Sequence, residues 1–325
     1  MDIRIISGLK EVLEVIENKY LPHMNDYLAM YSSWYGAIIT DPRAMLIPMD
    51  DHMVHRGDGV FEAFKCVEGN IYQLDAHLKR LKRSLEGIGL SSPVGDKGLV
   101  EIICRTIYAG GEKNCIIRLY ISRGPGDFSP KPHMSIGPQL YVVVTRHREV
   151  EERKRKKGCS LVLSRVPSKG GFYATIKSCN YLPNVLMKKD AHEKGADYAI
   201  GIEEDGRVTE GATENFAVIS PEREFLTPSF EDILRGTTVS RALEMAREMV
   251  REGLLRRAEE RPLYLKDLQR ATEILVFGTT MDVLPITLFE GEKVGSGEVG
   301  EFYRLFYERL QRDMRENPHV LTPVW

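Results

Sequence analysis

Between Arg146 and Gly158 the chain reads RHREVEERKRKKG, a run that is almost all charge. A packed core is not built from such a stretch. Acids interleave its bases, which makes it a solvated linker rather than a phosphate-binding patch. Apolar residues must then be buried on either side of it, and 325 residues are enough for two domains. The expected division is a smaller α/β domain over residues 1–150 and a larger one over 151–325. The chain is 42% apolar with a formal net charge of -2, so nothing global points to nucleic acid or an anionic membrane surface. No apolar run approaches membrane-spanning length. The N-terminus lacks a signal-peptide pattern, and Leu9, Val12, Leu13 and Ile16 follow helical spacing instead. The five cysteines are scattered, with no C-x-x-C pair. That argues against a disulfide framework or a zinc site and for a reduced, cytoplasmic setting.

Both halves mix strand-like and helix-like segments. Residues 60–73 read as two short strands around a Glu-Gly turn. Leu78, Leu81, Leu85 and Ile88 then mark one apolar helix face. IIRLYIS at 116–122 and LYVVVTR at 140–146 are core strands, separated by a Gly- and Pro-rich loop. The second half opens with the strand SLVLSRV. A helix follows Lys177, with Pro183 near its start and Gly195 just past its end. Strands YAIGIE, NFAVIS and EILVFG come next. Val239, Ala242, Leu243, Ala246, Met249 and Val250 trace the buried stripe of a long helix between the last two. The segment GEFYRLFYERLQRDM makes a C-terminal amphipathic helix.

Chemistry enters with FYATIKSCNYLPNVLM, residues 172–187, in which Lys177 is the only charge. Its ammonium either snorkels to water or is partly buried, so that the neutral amine can act as a nucleophile. Cys179 lies close by, as a small apolar residue or a neighbour of a site. Glu210 sits between the Gly206 turn and the strand NFAVIS. Gly236, Thr237 and Thr238 lead into the long helix. There free backbone N–H groups, two hydroxyls and the helix dipole suit an anion, although a threonine cap alone is also consistent. Gly278, Thr279 and Thr280 repeat the pattern where a strand ends. An amine, a carboxylate and two hydroxyl-lined phosphate cradles are what pyridoxal phosphate requires. No metal site, Ser-His-Asp set, Walker loop or dinucleotide fingerprint competes with that reading.

The order of these pieces resembles the fold-type IV, or class IV, family of pyridoxal-phosphate enzymes. That group holds branched-chain aminotransferases, D-amino-acid aminotransferases and aminodeoxychorismate lyases. The resemblance rests on RGDGVFEAF at 56–64, LDAHLKRLKRSL at 74–85, KSCNYLPNVL at 177–186 and AHEKGADYAI at 191–200. It continues through GRVTEGATENFAVI at 206–219, ILRGTT at 233–238 and FGTTMDVLP at 277–285. It implies a two-domain α/β fold with pyridoxal 5'-phosphate in the interdomain cleft, in a homodimer. Lys177 would form the Schiff base and move the proton between substrate and cofactor. Glu210 would face the pyridine nitrogen and Tyr181 the ring hydroxyl. Arg80, Thr237, Thr238 and Thr279 would hold the phosphate. By its helix alone Arg80 would be a solvated residue.

For the substrate, the resemblance points to Arg118 as a carboxylate ligand, Phe61 as a wall of the side-chain pocket, and Thr280. A surface ion pair for Arg118 and a core role for Phe61 fit the residues equally well. The loop after Arg118 lacks the Arg-x-His pair of D-amino-acid aminotransferases, and Val54 stands where they carry tyrosine. The lysine segment is nevertheless closer to that group and to the lyases. The expectation is an L-amino-acid aminotransferase for branched-chain or other apolar substrates, with 2-oxoglutarate as acceptor. The alternatives are an aminodeoxychorismate lyase, a D-amino-acid aminotransferase, and a non-catalytic pyridoxal-phosphate-binding protein.

Overall fold

The computed structural model describes Met1 and residues 3–325. In chain order its first elements are α1 (Leu9–Glu17), β1 (Tyr27–Ser32), β2 (Ala37–Ile39), α2 (His52–Arg56), β3 (Gly59–Val67), β4 (Asn70–Tyr72) and α3 (Leu74–Gly87). Then come α4 (Asp96–Gly110), β5 (Cys115–Ser122), β6 (Gln139–Arg146), α5 (Glu152–Lys157), β7 (Cys159–Leu163), α6 (Leu182–Glu193), β8 (Tyr198–Ile202), β9 (Arg207–Gly211), β10 (Asn215–Ile219) and β11 (Glu224–Thr227). The remainder are α7 (Thr237–Arg251), β12 (Arg257–Glu260), β13 (Leu263–Tyr264), α8 (Leu265–Arg270), β14 (Glu273–Gly278), β15 (Asp282–Phe289), β16 (Glu292–Lys293), α9 (Glu301–Glu316) and β17 (Leu321–Pro323). The fold is mixed α/β. It divides into one compact unit of Met1–Ile71, Leu90–His147 and Pro323–Trp325, and a second of Tyr72–Gly89 and Arg148–Thr322. This differs from a simple division at residue 150, because α3 packs with the second unit.

In the first unit, β3, β5, β6 and β1 lie side by side, all antiparallel. Strand alternation sends Val60, Phe64, Ile117, Leu119, Val142 and Val144 to one face, where each is wholly buried. Helix α4 covers β6 and β1 on that face, with Gly110 against Val144 and Ala29. The opposite face carries Phe61, Ala63, Arg118 and Tyr120, which are all half-buried. Register pairs Phe61 with Tyr120 and Ala63 with Arg118.

The second unit is built on a mixed sheet of order β12-β11-β10-β14-β15-β7-β8-β9-β13. Helix α7 packs on β10, β12 and β14, and α9 on β14 and β15. Rings of Phe225, Phe277 and Phe306 meet between them at centroid distances of 5.1 to 6.1 Å. The Glu273 carboxylate caps α9 by accepting from the N–H groups of Phe302 and Tyr303, each at 2.8 Å. The charged run expected to be a plain linker contains α5. Its Arg155 lies 4.7 Å over the Tyr307 ring and donates to the carbonyls of Met281 and Val283, both at 3.3 Å. A guanidinium can bind a surface through its flat face, so this part of the run is docked rather than only solvated.

Buried Asp313 of α9 ties three elements together. Arg241 of α7 reaches it with two bonds of 2.6 and 2.9 Å, and Tyr72 donates to it at 2.6 Å. Burial works against the charge, but bonds from Arg241, Asn317 and Tyr72 win and hold the carboxyl below its ordinary range. The stability this contributes is therefore present above the ordinary carboxylate range and is lost as pH falls through the depressed value. Asp313→Ala should cost about 3 kcal/mol, because it removes the buried partner of Arg241 and the acceptor for Tyr72, and leaves Arg241 only its more exposed pair with Glu244. Urea unfolding midpoints would measure this, and an unchanged midpoint would refute the role.

Candidate active site

Lys177 follows the short helical turn Gly171–Thr175 and precedes α6. Its neighbours Ile176 and Ser178 are each 5% exposed and anchor the segment, while Lys177 itself is half-buried. Its backbone N–H donates to Ser84 Oγ of α3 at 3.2 Å. A Cβ on Gly87 would come within 2.8 Å of Ile176, so the glycine lets α3 close on this segment. Tyr181 is the N-cap of α6 and Pro183 lies in its first turn. The Lys177 Nζ stands 6.0 Å from the centroid of the Tyr181 ring.

Glu210 lies on β9, between the Gly206 turn and β10, as its place in the sequence indicated. Part of the residue reaches solvent, but its carboxyl is ringed by protein. Burial pushes that carboxyl up to about 8 from an ordinary 4.5. A backbone hydrogen bond from Leu234 and the charges of Lys177, Lys169 and Arg80 pull the other way without overcoming it. Buried Asn215 donates to Glu210 at 3.3 Å and to the Leu234 carbonyl at 3.0 Å. The same side chain abuts Gly236, where a Cβ would fall 1.9 Å from Asn215 Oδ1. One amide thus sets both the acid and the backbone leading into α7.

Gly236 is the N-cap of α7, and no side chain caps that end. The first-turn N–H groups accordingly lack a side-chain acceptor, and Thr237 and Thr238 stand beside them, both buried. Arg80, 5% exposed, is not the solvated helix residue its position suggested. It donates to the Arg235 carbonyl at 3.2 Å and contacts His77 Nδ1 at 3.4 Å. Arginine can only donate, so His77 Nδ1 accepts and its Nε2–H donates to Thr237 Oγ1 at 3.2 Å. The Thr237 hydroxyl proton is then left to donate to a further acceptor. A guanidinium, two hydroxyls and a helix N-terminus make an anion cradle. Thr279 and Thr280 lie on the turn joining β14 to β15, Thr279 half-buried and Thr280 exposed. Among the described residues Thr279 makes no side-chain hydrogen bond to the cradle.

The remaining expected residues belong to the first unit. Phe61 stacks on Tyr120 with centroids 5.8 Å apart and planes at 22°. Arg118 is half-buried and donates to Thr145 Oγ1 at 2.9 Å. The surface ion pair considered for it is absent among the described residues. Within the RGDGVFEAF motif, Asp58 takes two bonds from Arg123, at 2.7 and 3.0 Å, which fixes the entry to β3. Sequence reasoning passed over His77, Lys169 and Asn215. Asn215 alone left a trace, as a polar residue at the head of an apolar strand.

An amine, a buried carboxyl and a separate anion cradle, all in the second unit, fit the groups of pyridoxal 5'-phosphate. Comparisons with known proteins agree. The family model described as "Amino-transferase class IV" matches residues 59–289. A chloroplastic D-amino-acid transaminase of Arabidopsis thaliana is 35% identical over 301 residues, covering 91% of this chain and 80% of the relative. A putative branched-chain-amino-acid aminotransferase of Methanocaldococcus jannaschii is 26% identical, covering 85% and 93%. In fold, the branched-chain amino acid aminotransferase of Escherichia coli matches with a TM-score of 0.83 at 20% identity, covering 92% of this chain and 99% of that one.

In the cofactor-free chain the raised carboxyl makes stability depend on pH. Glu210 keeps its proton in the folded state from about pH 4.5 to about 8, where the unfolded chain has lost it. Its contribution to stability is therefore full at low pH and falls as pH rises through that window. The slope should be a fraction of the limiting value of about 1.4 kcal/mol per pH unit, given the residual solvent access. Glu210→Gln should flatten this part of the stability–pH curve. Parallel curves for the two proteins in urea titrations from pH 5 to about 8.5 would refute it.

Proposed function

Since the chain belongs to the class IV amino-transferase family and so uses pyridoxal 5'-phosphate, we propose that it moves amino groups between an apolar amino acid and 2-oxoglutarate, with L-configured branched-chain substrates as the first choice. The bound cofactor supplies an aldehyde that condenses with amines and a ring that withdraws electrons from the substrate α-carbon. The chain's own residues do the rest. Lys177 provides the amine that anchors the cofactor and carries the proton at the substrate α-carbon. Glu210 would hold a proton at the ring nitrogen, and a positive charge there would favour the ionised form of its carboxyl. Tyr181 would meet the ring hydroxyl. Arg80, Thr237, Thr238 and Thr279 would hold the phosphate. Thr280 is assigned to the substrate. A homodimer and a cytoplasmic setting complete the proposal.

One observation carries the substrate class. Arg118 is a half-buried guanidinium with no carboxylate partner among the described residues, and it shares a sheet face with the stacked Phe61–Tyr120 pair. An unpaired guanidinium suits a carboxylate, and the aromatic pair suits an apolar side chain. Neither group fixes handedness. The 35% identical D-amino-acid transaminase favours a second reading, in which the substrate is a D-amino acid. The absence of an Arg-x-His pair in RGPGDFSPKPHM speaks against it.

Spectral titration separates these readings. L-Leucine should bleach the visible band of the holoenzyme and D-alanine should not. The reverse result would establish the D-amino-acid reading. Pyruvate release from aminodeoxychorismate without bleaching would make the protein a lyase. Arg118→Ala should raise KM for the amino acid by about ten- to a hundredfold, the loss of a charged hydrogen bond, with cofactor content unchanged. An unaltered KM would remove Arg118 from the site.

A further inference from the structure

A second lysine stands in the cofactor cluster. Lys169 lies on the loop between β7 and the turn Gly171–Thr175. Its Nζ is 4.8 Å from the centroid of the Tyr181 ring, the ring that also faces Lys177 Nζ at 6.0 Å. The residue is half-buried, and among the described residues its ammonium has no hydrogen bond or ion pair. A lysine on a surface loop would ordinarily turn its charge to water. Here burial works against the charge, while Glu210 and Cys179 favour it only through space.

The loop is held in this position. Ser168 Oγ lies 2.7 Å from Thr209 Oγ1, the residue before Glu210 on β9, and Thr209 is 1% exposed. Gly201 of β8 makes room for that bond, since a Cβ there would be 1.9 Å from Ser168 Oγ. Farther back, Arg165 is fixed to buried Asp190 by its backbone N–H at 2.9 Å and its side chain at 2.6 Å. Lys169 is therefore fastened beside Glu210 from one side, while Tyr181 receives it from the other. Favourable cation–π contact keeps the ammonium on the ring face.

We propose that Lys169 is a positioning residue of the active site: its ammonium, pinned on Tyr181 by the Ser168–Thr209 bond, repels a second positive charge at Lys177 and so favours the neutral, nucleophilic amine. The inference rests on reading Lys177 as the cofactor-binding amine. A cationic neighbour is one of the established ways to activate a lysine. The titratable and charged groups gathered there are Glu210 on β9, Tyr181 and Cys179 beside Lys177, and Arg80 on α3. In the cofactor-free chain Glu210 is largely protonated at neutral pH, so it does not cancel the Lys169 charge.

The test follows capture of pyridoxal 5'-phosphate by cofactor-free protein, as growth of the visible band between about pH 6 and 10. Lys169→Met should move the pH midpoint of the capture rate up by about one unit, so that capture at pH 7 slows about tenfold. Lys169→Arg, which keeps the charge, should retain the wild-type midpoint. Thr209→Val leaves Lys169 in place but unpins its loop, and should give a shift in the same direction even if Lys169→Met does not fold. A wild-type midpoint in Lys169→Met, or equal shifts for Met and Arg, would overturn the proposal. So would weaker binding with an unmoved midpoint, which would make Lys169 an anion receptor only. Wild-type protein that fails to capture the cofactor at any pH would instead sink the reading of Lys177 itself.

Discussion

A carboxyl that the fold largely keeps from water is the constraint around which the candidate site of the second unit is arranged. Glu210 is ringed by protein, and such a group is tolerable only neutral or beside positive charge. The structure supplies both conditions. Leu234 donates a backbone hydrogen bond, Asn215 donates its amide, and three cations lie within electrostatic reach. Removing these groups would leave the acid as an unpaired buried charge or a proton-bound liability. Their placement also fixes the loop from Leu234 to Gly236, and with it the start of α7.

The same arrangement explains why the anion cradle and the amine sit in one unit. Helix α3 is the bridge. Its Ser84 accepts from the Lys177 backbone, its His77 donates to Thr237, and its Arg80 reaches the Arg235 carbonyl. Three residues on successive turns of one helix therefore reach the Lys177 segment, Thr237 and the loop before α7. Helical spacing brings such residues to one face, which makes α3 a rigid ruler between parts of the chain far apart in sequence. The first unit contributes a different kind of order. Buried Asp51 accepts from Ser122 at 2.8 Å and Tyr141 at 3.0 Å, and Asp58 holds Arg123, so the loops at that end of its sheet are fixed by ion pairs and hydrogen bonds. Arg118 and Phe61 project from strands whose other face is packed and buried, so backbone motion there is restricted.

Lys177, Glu210 and the two Gly-Thr-Thr turns could be picked out in the sequence because each is a local anomaly. They are a lone charge among apolar residues, an acid at a strand boundary, and a glycine with hydroxyls at a helix start. The strands 115–122, 139–146 and 273–278 were equally legible, since period and β-branching are carried by neighbouring residues. Burial of Arg80 was not legible from its helix. Residues three and four apart on α3 share its buried face, and polar Arg80 and His77 occupy that face beside Leu81 and Leu85. Apolar spacing assigns such residues to solvent, yet here they are buried because they satisfy one another. The charged run at 146–158 misled in the opposite sense, since a guanidinium packs flat on a ring as readily as it meets water.

The sequence by itself determined the two-part mixed α/β organisation, the family, the cofactor and the candidate amine and acid, because local periodicity and short ordered motifs encode them. Only the tertiary structure decided that α3 belongs with the second unit, that Asn215 and His77 set the geometry of the acid and the cradle, and that Lys169 shares a ring with Lys177. Those relations join residues from five to 160 positions apart, and none of them follows from periodicity. A hydrogen bond or a charge acts through distance in space, and the chain carries no local sign of which distant groups folding will bring together.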